Sequence, residues 1–139
     1  MHKFFFTNII LSTTFFTSCS IFMSCQKDDL NIDERINYSF FTAGHTYGNP
    51  NSFSYGLYPP FVDFVPYINN YNNMELGFLT GDVVFFSTQS YWDSAMVDIN
   101  KFNFPIHISA GNHDVGDEFS NRFDYYYAFE HNNDLFIIL

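Results

Sequence analysis

Apolar and polar positions divide this chain into a leader and a patterned domain. Residues 4–22 are apolar but broken by Ser and Thr, and residues 26–37 are polar. From residue 38 onward, apolar runs alternate with turn-rich stretches. Residues 38–42, 75–80 and 104–110 are short apolar runs that read as buried strands. Tyr47-Gly48-Asn49-Pro50-Asn51 is dense in turn signals. Pro59-Pro60 opens a helix reaching about residue 70, with Pro66 expected to interrupt it. Thr88 or Ser90 caps a second helix, whose apolar residues Trp92, Met96, Val97 and Ile99 follow helical spacing. Residues 118–123 form a short helix. Residues 125–130 and 135–139 form a hairpin joined at His131-Asn132-Asn133-Asp134. The order β-α-β-α-β-β predicts an α/β fold whose first strands run parallel.

Composition adds few constraints. The 139 residues suit one modest domain, and 20 Phe and 10 Tyr supply ample apolar material for a core. Acids outnumber bases 15 to 5. Binding to nucleic-acid phosphates needs clustered Lys and Arg, so no nucleic-acid partner is expected. The acids are scattered, which does not indicate an acidic tail.

The leader has the layout of an exported protein. His2 and Lys3 precede the apolar stretch, and Ser24 precedes Cys25. Residues 1–24 thus read as a lipoprotein signal peptide, 25–37 as a polar tether and 38–139 as the domain. Ser24-Cys25 resembles a lipobox, although Phe22 and Met23 depart from its usual residues. Cys19 also follows a serine and is a second lipidation candidate. Gln26-Lys27-Asp28-Asp29 resembles the export signal of surface lipoproteins, which places the expected product on the outer membrane or cell surface, held by a lipid anchor. An uncleaved anchor of about 19 residues is the alternative. Both cysteines lie in this leader, so the domain is expected to use neither a disulfide nor a thiolate.

The candidate chemistry sits at three strand ends. The first is Phe40-Phe41-Thr42-Ala43-Gly44-His45. The second is Leu79-Thr80-Gly81-Asp82, and the third is Gly111-Asn112-His113-Asp114. In open α/β sheets such an edge is where ligands bind. Imidazole, carboxylate and carboxamide oxygen suit Zn, Mn or Fe. Taken singly, His45, Asp82 and Asn112-His113 each have a plain reading as turn or cap residues. His107 reads as a packed histidine and His131 as a solvated one. Tyr47, Tyr55 and Tyr58 are candidates to line a cleft, but their loop gives them no fixed direction.

The order His45, Gly81-Asp82, Gly111-Asn112-His113-Asp114, at spacings of 37 and 30 residues, resembles the calcineurin-like metallophosphoesterase family over residues 38–139. The resemblance implies the N-terminal part of an αββα sandwich and a centre of two Mn, Fe or Zn ions acting on a phosphoester. Asp82 would bridge the ions and Asn112 would bind one through its side-chain oxygen. His45 matches the histidine of the family's first motif. His113 would donate a proton to the leaving oxygen, and Asp114 would orient His113 through a hydrogen bond. Ala43 stands where that first motif has an aspartate, and the family's later histidine motifs are lacking. The chain is therefore expected to be a truncated or degenerate copy, with residues 135–139 an apolar strand short of neighbours. The alternative is a non-catalytic surface lipoprotein that keeps part of the fold as a binding module. Its aromatic loop 47–61 resembles carbohydrate-contacting surfaces in composition.

Overall fold

The computed structural model describes residues 37–49, 51 and 54–139. The expected signal peptide, both cysteines and nearly all of the tether lie outside the described residues. Strands β1 (Ser39–Ala43), β2 (Met74–Thr80) and β3 (Ile106–Ser109) alternate with helices α1 (Pro59–Asn69) and α2 (Gln89–Ile99). A single-turn helix α3 (Asp117–Ser120) leads to strands β4 (Tyr127–His131) and β5 (Asp134–Ile138). β1, β2 and β3 form a parallel sheet with β2 in the middle, and β4 and β5 form a separate antiparallel hairpin. The expected mixed α/β order with parallel first strands is present.

A central strand must hide both faces, and β2 does so by alternation. Leu79 joins Val83, Val84, Trp92, Ala95, Ile99, Ile108 and Phe119 in one buried core. Leu76 and Phe78 join Ile138 in a second, flanked by Tyr127, Phe129 and Phe136 of the hairpin. The first core is closed by the helices. α2 turns Trp92, Ala95 and Ile99 inward at steps of three and four. The second core is almost wholly aromatic. Phe136 lies 5.3 Å from Phe78, ring centre to ring centre, and 5.1 Å from Phe129. Helices, parallel sheet and hairpin thus form successive layers.

Five expectations change in detail. Pro66 does not interrupt α1, which continues to Asn69. It sits exposed near the helix end, where only three more residues depend on an unbroken ladder. The hairpin turn is tighter than four residues. Asn132 and Asn133 take φ of 49° and 67°, so two residues close it and His131 pairs with Asp134 as the last rung. His131 is not solvated: its Nε2 lies 2.7 Å from Glu75 Oε2 and its ring meets Tyr38 edge-on at 4.9 Å. The strand around residue 106 is shorter than read, because Phe104 and Pro105 precede the first paired residue. Thr88 is the cap residue of α2 but makes no capping bond; its hydroxyl meets that of Ser90 at 3.3 Å. His107 packs as expected, stacked 3.7 Å from Phe129, with Nδ1 3.1 Å from the Tyr127 hydroxyl.

Candidate functional site

Parallel strands end side by side, so the loops after β1, β2 and β3 open on one edge. Two backbone bonds carry the β1–β2 alignment beyond the strands: His45 N–H donates to Gly81 O at 2.9 Å, and Tyr47 N–H to Asp82 O at 3.2 Å. The β2 and β3 loops touch more closely still. A methyl group on Gly111 would lie 2.3 Å from the Asp82 amide nitrogen, and one on Gly81, whose φ is +90°, would lie 2.9 Å from Gly111 Cα. Glycine at both positions is what lets these loops meet.

The contact brings three expected site residues together at Asp82. Its Oδ2 lies 3.1 Å from His45 Nδ1, and its Oδ1 accepts the His113 backbone N–H at 3.2 Å. The Asp82 side chain is 18% exposed and that of His45 66%, so the pair opens to solvent on the histidine side. Both residues are held in the left-handed region, His45 at φ 57° and Asp82 at φ 56°. The other described non-glycine residues with positive φ are asparagines in turns. Asparagine visits this region readily; a paired histidine and aspartate there are held by their surroundings, as at many functional sites. Asn112 follows on the same edge and is exposed.

His113 and Asp114 have partners that differ from the expected ones. His113 Nδ1 donates to the Phe85 carbonyl at 2.8 Å, which leaves Nε2 as its reactive nitrogen. Asp114 does not orient that ring. It is fully buried; its Oδ1 accepts the amides of Val83 and Val84 at 2.9 and 3.0 Å, and its Oδ2 accepts that of Gly111 at 2.8 Å. Burial pushes its carboxyl above the ordinary aspartate range, while the N–H groups of Val84, Gly111 and Val83 pull the other way. Asp114 is thus the knot that ties the β2 and β3 loops. Its backbone carbonyl also accepts the Ser87 hydroxyl at 2.6 Å, and that hydroxyl accepts Trp92 Nε1–H at 3.1 Å. A carboxylate placed one residue after a histidine is a poor partner for it when nearer amides need an acceptor.

Among the described residues, no three His, Cys, Asp or Glu side chains gather as a cation cluster. By donor chemistry, imidazole, carboxylate and carboxamide suit an ion of the zinc or manganese type; the structure joins His45 to Asp82, and Asn112 shares their edge. They are too few for two ions, since an ion usually takes three or four protein donors.

Sequence reasoning left the tyrosines of the first loop without direction, and the backbone supplies it. Tyr47 bridges to Leu57, Gly48 N–H donates to Gly56 O at 2.8 Å, and Tyr58 N–H donates to Thr46 O at 2.7 Å. Asp98 Oδ2 accepts Leu57 N–H at 2.9 Å and pins the loop to α2. Tyr47, Tyr58 and Phe85 then line a cleft of about 340 Å³ that reaches His45. Tyr55 turns away and packs on Tyr91. One signal was legible: Tyr58 precedes Pro59, which favours the extended ψ of 121° it adopts. The role of the Phe85 carbonyl had none, because any residue supplies a carbonyl. The chain matches no family model, no curated protein and no solved structure.

Proposed function

We propose that this edge is a phosphoester hydrolase site of the calcineurin-like metallophosphoesterase kind, in whole or in part, carried on an exported lipoprotein. The observation that carries the reading is the meeting of His45, Asp82 and His113 from three consecutive parallel strand ends. The layering of helices, parallel sheet and hairpin is compatible with the N-terminal part of an αββα sandwich. His45, Asp82 and Asn112 would hold one ion, and a second would need donors from outside the described residues. When bound, the metal supplies positive charge that offsets the phosphate oxygens and favours attack on phosphorus. Asp82 fixes the His113 main chain, and the Phe85 carbonyl fixes its ring. His113 Nε2, once protonated, gives its proton to the leaving oxygen.

Purified protein supplied with Mn, Zn or Fe is expected to hydrolyse p-nitrophenyl esters of phosphate. Asp82→Asn should abolish turnover, and His113→Gln should lower it by about 10²- to 10⁴-fold. Absence of turnover with every metal overturns the reading for this chain. Ala43 favours a second reading, a binding module without catalysis, because alanine offers no donor where the family has an acid. Glycan binding that survives a chelator would support that module. Export is tested by fatty-acid labelling, expected to vanish in Cys25→Ala and to persist in Cys19→Ala.

A further inference from the structure

We infer that the aromatic cleft beside this edge takes a monoanionic phosphodiester bearing a planar aromatic group, in preference to a dianionic monoester or a polyphosphate. Calling that ligand a substrate rests on the hydrolase reading; the class of ligand stands on the cleft itself.

Shape comes first. The cleft of about 340 Å³ lies within the usual range for small-molecule sites, and Tyr47, Tyr58 and Phe85 give it aromatic walls. Asn49 and Asn51 add amides at its rim. The walls are continuous with the candidate chemistry. The Tyr47 ring lies 4.4 Å from His45, 5.3 Å from His113 and 5.3 Å from Phe85, centre to centre. A ring seated there keeps an attached phosphorus beside His45, which lines the cleft, with His113 on the other side of the Tyr47 contact. The main-chain bridge at Tyr47 and the Tyr58 amide bond hold two of the walls before any ligand arrives.

Charge then chooses among esters. Among the described residues, no Lys or Arg lines the cleft. The cations among the described residues are engaged elsewhere, Lys101 with Asp98 and Arg122 with Asp93 and Glu118. Asp82 adds an acid at the site, and the whole chain carries a formal charge of −10. A phosphomonoester brings close to two negative charges near neutral pH, and a diester brings one. Each extra charge meets repulsion that no Lys or Arg among the described residues offsets. Binding must come mainly from the ring, and stacking on an aromatic side chain contributes about tenfold in affinity.

Three probes separate ring from charge: methyl phenyl phosphate, phenyl phosphate and dimethyl phosphate. Their binding is measured by calorimetry in the presence of a chelator, so that no turnover intervenes. Methyl phenyl phosphate is expected to bind at least about tenfold more tightly than either of the others. Tyr58 is 51% exposed, so Tyr58→Ala should leave the fold intact. It should remove most of the ring's advantage, Tyr58→Phe should keep it, and Phe64→Ala, outside the cleft, should change nothing. Equal binding of phenyl phosphate, or indifference to Tyr58→Ala, overturns the inference. Ring-dependent binding without turnover under any metal would keep the cleft and remove the hydrolase reading. Turnover with ring-independent binding would do the reverse.

Discussion

Strand β2 carries a carboxylate at or beyond each end, and each meets a histidine. Glu75 pairs with His131 at 2.7 Å, and Asp82 pairs with His45 at 3.1 Å. The two pairs lie roughly 20 Å apart along the strand. At the Glu75 end every partner is used for fastening: Asn132 Nδ2 also donates to Glu75 Oε2 at 3.0 Å, and Tyr38 donates to Asp134 at 2.6 Å. His131 is three-quarters covered, with 26% of its side chain exposed. At the Asp82 end both residues are in the left-handed region and His45 stays two-thirds exposed. A closed pair on relaxed backbone clamps the hairpin to the sheet; an open pair on left-handed backbone presents its atoms to something else. Distance alone would have ranked them the other way.

The largest expected effect falls on the knot behind the open pair. Asp114→Ala strands three amides beside a fully buried site. It should cost about 3 kcal/mol or more in urea denaturation. Asp134→Ala, at the closed end, removes one exposed fastening and should cost under about 1 kcal/mol. A loss below about 1 kcal/mol for Asp114→Ala would mean that the loops meet without it. Next in size is the contrast between the pairs themselves. Glu75→Gln weakens a partly exposed clamp and should lower stability by about 0.5–1 kcal/mol, with turnover unchanged. Asp82→Asn should leave stability nearly constant while abolishing turnover. If both substitutions only lower the melting temperature, the two ends are alike and the comparison fails.

The closed end was the less legible in the sequence. The order of elements, the parallel direction of the first strands and the strand-end residues follow from local patterns, because apolar runs ending in glycine and a polar residue say what they are wherever they sit. The meeting of Asp82 with His45 follows from the same topology. The meeting of His131 with Glu75 depends on how the hairpin lies across the sheet, and nothing local to either residue encodes that angle. The Asn132-Asn133 turn is legible in part, since asparagine favours positive φ, but the polar run 131–134 does not say which two of its residues close the turn. Asp114 differs for another reason: the family resemblance assigns it to the His113 ring, whereas the amides of Val83 and Val84 in the neighbouring β2 loop, with that of Gly111, take its carboxylate.

A smaller effect is expected from pH. His107 lies between sheet and hairpin, and burial, then the nearby His131, lower its pKa from 6.5. Glu75, Asp134, Tyr38 and Tyr127 are the other ionisable groups bonded or packed around that layer. A histidine whose pKa is lowered stays neutral to a lower pH in the fold than in the unfolded chain. The unfolded state therefore binds more protons as pH falls through 6.5, and stability declines in that direction. Urea midpoints should drop between pH 7 and 5.5, and His107→Phe should flatten that slope. A slope unchanged in His107→Phe would place the sensitivity elsewhere.

The smallest effect concerns the residue beside His45. Among the described residues, Thr46 Oγ1 is the buried side-chain oxygen without a hydrogen-bond partner, and Thr46 is 5% exposed. Its backbone carbonyl accepts the Tyr58 amide and so helps set the cleft. The side chain gains nothing from its hydroxyl, and an unpaired buried hydroxyl is a cost that valine, of nearly the same shape, does not carry. Thr46→Val should therefore raise stability by about 0.5 kcal/mol and leave the loop in place. A loss of about 1 kcal/mol would mean that the hydroxyl finds a partner in solution. The open edge would then be bonded as fully as the clamp, and the contrast between the two ends would narrow to backbone conformation alone.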